Sequence, residues 1–173
     1  MKEITEKNKK MMIEGLEAKA KEVKLETLQE ALKKLEKNSI EVPRSYDTEG
    51  LEAAISVLGG IQKLRDIASS LKNTTNISRM QLRRLWEMGQ HTILTRDPMI
   101  KEFSSQTEKS AYIKSVSVLE KVYSRYMLAE TLYANFDNVL ENLIAKFNTC
   151  SRQIKVLELQ IEIGEIEAKR KRT

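Results

Sequence analysis

Leu119–Ile161 reads LEKVYSRYMLAETLYANFDNVLENLIAKFNTCSRQIKVLELQI, and one spacing runs through it without interruption. Leu119, Val122, Tyr126, Ala129, Tyr133, Phe136, Leu140, Leu143, Phe147, Cys150, Ile154, Leu157 and Ile161 follow one another at alternating steps of three and four. That repeat keeps one stripe of a helix facing a partner helix over many turns, as in a coiled-coil seam. Val118, Tyr123, Leu132, Val139, Ile144 and Val156 widen the stripe, so the helix is expected to meet more than one neighbour. Neither glycine nor proline occurs between Pro98 and Gly164 to interrupt it.

Length then bears on assembly. A helix over residues 106–166 extends roughly 90 Å at 1.5 Å per residue, whereas a compact chain of this size has a radius of gyration of about 16 Å. Either the helix breaks, with Asn148–Ser151 the weakest place, or other copies cover it. The second alternative predicts a homo-oligomer held by Tyr126, Tyr133, Phe136, Leu140, Leu143, Phe147, Ile154, Leu157 and Ile161.

Working toward the N-terminus, Ser105-Gln-Thr-Glu108 has the form of a capping box, and Asp97-Pro98 pairs an acidic cap with proline at the first helical position. Ser78-Arg-Met-Gln81 has the capping-box form too, which predicts a short helix from there to about Thr95. Asn73–Asn76 reads as the turn before it. Leu51, Ile55, Leu58, Ile61, Leu64, Ala68 and Leu71 mark a helix over 49–72, weakened by Gly59-Gly60. Val42 before Pro43 is pushed toward extended geometry. The expected organisation is an amphipathic helix over 1–38, a linker over 39–48, a helical oligomerisation and DNA-binding domain over 49–168, and a basic tail over 169–173. The fold class is all-α: an oligomeric helical bundle with a long C-terminal coiled-coil-like helix or helical hairpin.

Composition agrees. Of 173 residues 40% are hydrophobic and 32% charged, with only 6 Gly and 2 Pro to punctuate strands. One cysteine, Cys150, and one histidine, His91, leave no disulfide framework, no cysteine cluster for zinc and no histidine-rich metal site. No apolar run approaches the length of a membrane span, and Met1–Lys10 has no signal-peptide character. A cytoplasmic protein, with no membrane partner, is expected. No phosphate-binding loop, dinucleotide-binding glycine pattern or HExxH pair occurs. Cys150 falls on the seam, where a buried thiol is ordinary, so no enzyme, cofactor, catalytic residue or metal is predicted.

Net charge is +5, and local basic patches matter more than the total. From Ile67 to Trp86 there is no acidic residue, while Lys72, Arg79, Arg83 and Arg84 all occur, and Arg79, Arg83 and Trp86 share one helical face. Arginines that neutralise phosphates beside an aromatic that stacks on a base are the ingredients of single-stranded DNA binding. The alternative is that Trp86 packs inside and the arginines lay their stems around it. A second acid-free stretch, between Glu141 and Glu158, holds Lys146, Arg152 and Lys155.

The stretch Val139–Lys155 resembles the C-terminal helix of UvsY-type recombination mediators of tailed phages. Leu140-Glu141-Asn142, Asn148 and Gln153-Ile154-Lys155 carry the likeness, while Cys150-Ser151-Arg152 replaces that family's arginine-glycine-aromatic run. Lys109-Ser110 opens a helix at a similar distance upstream, and Leu82-Arg83-Arg84-Leu85 is similar to a short basic helical motif of the family. Over about residues 79–160 the resemblance implies rings of six or seven subunits that bind single-stranded DNA, with Arg83 and Arg84 as basic contacts. It implies partnership with a RecA-like recombinase and a single-strand-binding protein, in the host cytoplasm for a phage-encoded chain. The competing reading is a structural or adaptor protein, such as a phage assembly or scaffold subunit, whose seam binds partner helices.

Overall fold

The computed structural model describes residues 6–43 and 50–171, with side chains from residue 11 onward. Residues 1–5 at the start of the expected N-terminal helix, 44–49 with half of the expected linker, and 172–173 at the end of the basic tail lie outside the described residues. The elements are α1 (Glu6–Glu22), α2 (Leu25–Lys37), α3 (Leu51–Arg96), a 3-10 turn (Pro98–Glu102), α4 (Gln106–Ser115) and α5 (Ser117–Arg170). The all-α expectation holds, with no strand among the described residues. The chain divides into two compact units, one of residues up to Glu30 with Asn73–Ala134, the other of Ala31–Lys72 with the residues from Asn135 onward.

In the first unit the later half of α3 runs antiparallel to the start of α5. Trp86 meets Tyr123, and Arg79, earlier in α3, meets Glu130, later in α5. Thr75, Leu82 and Ile93 of α3 and Leu119, Val122 and Ala129 of α5 are fully buried between them. Gly89 permits the closest approach: a Cβ there would collide with a methyl of Leu119 and come within 3.3 Å of Leu16. Leu16, with Ile13 and Ala20, is the buried face of α1.

One long N-terminal helix was expected, and two are found, because a residue remote in sequence intervenes. Arg125 of α5 donates to the carbonyls of Ala20 and Val23 at the end of α1 and to the Glu26 carboxylate at the start of α2. The guanidinium adds a second donor to carbonyls at the helix end that also accept from the Val23 and Leu25 amides, and the chain turns at Val23-Lys24.

At the other end of this unit, Ser105 accepts from the Glu108 amide at 3.1 Å and Glu108 accepts from the Ser105 amide at 3.0 Å. The expected capping box therefore forms and starts α4. Asp97 also caps as expected, accepting from Met99 at 3.1 Å, but the element it starts is a 3-10 turn rather than an α-helix. Tyr112 donates its hydroxyl to the same buried carboxylate at 3.0 Å.

In the second unit the early half of α3 again runs antiparallel to α5. Cys150 donates its thiol to the Ala54 carbonyl at 3.4 Å, and Arg65 lies over Phe147. Ala54, Ile61 and Ala68 bury against the face that carries Phe136, Leu143, Cys150, Ile154 and Leu157. The extended segment after α2 is tied down by α5: Lys146 donates to the Ile40 carbonyl at 2.9 Å, and Gln153 to the Pro43 carbonyl at 2.7 Å. Gly60 leaves room for Ile40, whose terminal methyl would sit 2.7 Å from a Cβ there.

Two expected breaks are absent, and a second unexpected break is present besides the one at Val23-Lys24. Asn73–Asn76 is not a turn, and Ser78 starts no helix, because α3 runs through both. Thr75 is wholly buried on the row of sevens formed by Ala68, Thr75 and Leu82, so packing overrides the weak helix propensity of Asn-Thr-Thr-Asn. Asn148–Ser151 is helical as well. Thr149 returns its hydroxyl to the Ala145 carbonyl at 3.0 Å, and Cys150 packs inside. The chain instead bends at Val116, whose backbone is extended between α4 and α5.

The inner stripe of α5 is buried without a second copy. Leu119, Val122, Ala129, Phe136, Leu143, Cys150, Ile154 and Leu157 are all in the core of one unit or the other. Tyr126, Tyr133, Leu140, Phe147 and Ile161 are half-buried beside them. A single chain therefore covers the face that helix length alone had assigned to other copies.

Candidate functional site

Three of the four cations of the acid-free stretch of α3 have partners within the chain. In the second unit, Lys72 is ion-paired with Asp137. In the first, Arg79 donates to Glu130 at 3.2 Å and to Asn76 at 2.9 Å, and its guanidinium carbon lies 4.4 Å from the Tyr133 ring centroid. Glu130 also accepts from the Tyr126 hydroxyl at 2.7 Å, a bond that raises the phenol above its ordinary value. The stretch lacks acids because the answering carboxylates stand on α5. Both inner cations are thus paired with carboxylates of α5.

Trp86 is 7% exposed and packs against Tyr123, ring centroids 4.9 Å apart, with Tyr126 next in the row. This indole offers no face to a base, and the core alternative for Trp86 is the one found. Of the five residues expected at a DNA site, only Arg83 and Arg84 are exposed. Arg83 donates to Glu87 one turn on at 2.8 Å, which holds its guanidinium pKa further up. In the second acid-free stretch Lys146 is occupied by the Ile40 carbonyl, while Arg152 and Lys155 are exposed.

The residues expected to join copies are turned to the same chain. Tyr133 lies under Arg79, Phe147 under Arg65, and Phe136, Leu143, Ile154 and Leu157 are buried. A cleft of about 490 Å³ between α1 and α5, edged by Glu17, Lys21, Lys121 and Arg125, is likewise saturated. Glu17 pairs with Lys21 at 2.8 Å and with Lys121 at 3.3 Å. Cys150, buried with its thiol on a backbone carbonyl, is not disposed as a nucleophile. Among the described residues no cluster of three metal-ligating side chains occurs, and no helix is long and apolar enough to cross a membrane.

The face left open is elsewhere. Toward the end of α5, Val156, Leu159, Ile163 and Ile166 are 53%, 57%, 55% and 46% exposed. Their steps of three, four and three place them on one side of the helix, offset from the inner stripe of Ile154, Leu157 and Ile161. The last turns of α5 therefore carry two apolar faces, of which one packs and one does not. The sequence held this signal in the same periodicity as the main seam, but only Val156 stands out there, as a flank of that seam. Contiguous exposed apolar surface on a charged helix marks an interaction site more often than chance.

No family model, curated protein or solved structure matches this chain.

Proposed function

We propose that this protein is a non-enzymatic assembly or adaptor protein that binds partner helices through the outer face at the end of α5. The observation that carries this reading is the exposed row Val156, Leu159, Ile163 and Ile166 on a helix whose other apolar face is already buried. Four large aliphatic residues at heptad-like spacing form the kind of stripe into which a second helix inserts its own. Burying them releases about 25 cal/mol for each Å² of apolar surface removed from water.

The test combines mass and variant. Light scattering on the purified chain, alone and with an amphipathic helical peptide, should give a complex, either with itself or with the peptide. The double substitution Leu159→Asp with Ile163→Asp should abolish it while circular dichroism stays fully helical. A wild-type chain that remains a lone molecule and takes up no helix would remove this function.

A second reading keeps the resemblance to UvsY-type mediators: a single-stranded DNA-binding protein that forms rings and assists a RecA-like recombinase against a single-strand-binding protein. What favours it is the exposed Arg83-Arg84 pair within the basic helical motif. Its site is then smaller than the sequence suggested, without Lys72, Arg79 or Trp86. A gel-shift titration with single-stranded oligonucleotide tests it, because Arg83→Ala with Arg84→Ala should weaken binding and flatten its salt dependence.

A further inference from the structure

The joint between α1 and α2 has two sets of hydrogen bonds open to it. In the folded chain the Ala20 and Val23 carbonyls accept from the Arg125 guanidinium and from the nearby Val23 and Leu25 amides. In an uninterrupted helix the same two carbonyls would accept from the Lys24 and Thr27 amides. Arg125 therefore competes with helix continuation for the same acceptors. No glycine or proline occurs from Leu16 to Lys37 to enforce the break. The apolar steps show what the break achieves. Ile13, Leu16 and Ala20 are buried at steps of three and four, as are Leu25, Leu28, Leu32 and Leu35, but Leu25 follows Ala20 by five. In one straight helix that step would turn the second stripe about 140° from the first. With α2 seated through Leu25 and Leu28, a continuous helix would carry Ile13, Leu16 and Ala20 away from the first unit.

The first helix itself is held lightly. Of its side chains from Met11 to Glu22 only Ile13, Leu16 and Ala20 are buried. Gly15 weakens the helix and serves no close contact, since a Cβ there meets nothing within 4 Å. A cleft of about 490 Å³ keeps part of the seam between α1 and α5 open, beside Ala20 and Val122. Glu17 reaches Lys121 at 3.3 Å, but that lysine is 63% exposed and the pair is weak. Segments with few buried apolar contacts open on their own, ahead of the whole. Beneath α1, Gly89 and Leu119 form the floor on which Leu16 sits. We infer that α1 is a detachable strap, hinged at Val23-Lys24 and clasped by Arg125, over a groove that accepts an amphipathic helix. The helix whose chemistry fits that groove is α1, so its second occupant is the α1 of another copy, exchanged when the strap opens. This device is independent of the outer face of α5.

The strap is tested on the full chain. Hydrogen exchange read by NMR should show the α1 amides opening at least about tenfold more readily than those of Val122 and Ala129, a difference of about 1.4 kcal/mol. Gly15→Ala should slow α1 exchange about fivefold, the equivalent of about 1 kcal/mol. Arg125→Ala should speed it and move the Cα chemical shifts of Val23 and Lys24 to helical values, which loss of a merely stabilising contact would not do. A labelled peptide of residues 6–24 should bind the Leu16→Asp chain, whose own strap is unseated. It should bind the wild-type chain at least about tenfold more weakly, because the tethered α1 competes. The same peptide carrying Leu16→Asp should bind neither chain. Exchange of α1 in step with α3 and α5, or a joint that stays bent in Arg125→Ala, would overturn the hinge and the inference with it. A folded Leu16→Asp chain that ignores the peptide would overturn the groove. A Leu16→Asp chain that loses its helical signal would show α1 to be an indispensable part of the core, and would overturn the strap as well.

Discussion

Arg79 holds its guanidinium carbon 4.4 Å from the ring centroid of Tyr133, one turn of α5 beyond the Glu130 carboxylate to which it also donates. Lying over a ring while donating from separate nitrogens to Glu130 and Asn76 uses the planar fork of a guanidinium, which an ammonium does not reproduce. Arg79 and Glu130 are both about one-third exposed, so solvent screening keeps the contribution modest. Arg79→Lys should lower unfolding stability by about 1 kcal/mol, and Arg79→Ala by about 1–2 kcal/mol, as read from urea denaturation midpoints. Wild-type stability in both variants would mean that Arg79 does not join the helices and is available for other duties.

The glycines of α3 predict opposite outcomes for one substitution. At Gly59 a Cβ meets nothing within 4 Å, so Gly59→Ala should stabilise the helix by about 1 kcal/mol. At Gly89 the same methyl collides with Leu119 and crowds Leu16. Gly89→Ala should therefore destabilise by about 1–3 kcal/mol despite the better helix propensity. Thermal melts of the two variants should shift in opposite directions. A rise for Gly89→Ala would show that α1 and α5 do not press on α3 at that level.

Acid should loosen the first unit. Glu17 is held below its ordinary value of 4.5 chiefly by its hydrogen bond to Lys21, against the opposing effect of burial, and then by Lys121. Glu26 is lowered chiefly by Arg125, and Glu108 by the Ser105 amide. For each, the folded chain releases the proton at a lower pH than the unfolded chain does. The stabilisation is therefore complete above the ordinary carboxylate value and is lost as pH falls through the folded values. The melting temperature should drop as pH is lowered below about 4.5, and Glu108→Ala should make that drop shallower. An unchanged acid profile in Glu108→Ala would mean that the capping box is not among the acid-sensitive contacts.

Short-range chemistry was readable from the chain and long-range chemistry was not. Ser105-Gln-Thr-Glu108 needs only its own four residues to cap α4, and Asp97 needs only the amide two residues on. The inner stripe of α5 was equally plain, since periodicity is a local property. The end of α1 was invisible because Arg125, about a hundred residues away, satisfies it. Asn73–Asn76 misled because its buried Thr75 belongs to a row completed by residues seven away on either side. The acid-free window around Arg79 looked like a phosphate site because Glu130 and Asp137 lie on another helix. Helix length suggested other copies because nothing in one segment says that α3 will lie along it.

The burial of Trp86 separates two ways of touching nucleic acid. The indole is 7% exposed, with Tyr123 4.9 Å away, in the core of the first unit. Emission should therefore be that of an indole in an apolar environment, and a polar quencher such as iodide should reach it poorly until the chain unfolds. Tyr123→Ala removes the adjoining ring, which should shift emission toward that of hydrated tryptophan and cost about 3 kcal/mol or more if the cavity does not collapse. Single-stranded oligonucleotide should leave the fluorescence of the folded chain unchanged even under conditions where Arg83 and Arg84 bind phosphate, since no base can stack where Tyr123 already lies. Strong quenching of the wild-type chain by oligonucleotide, absent in a Trp86→Phe control, would mean that this core opens to admit a base and would restore Trp86 to a DNA site.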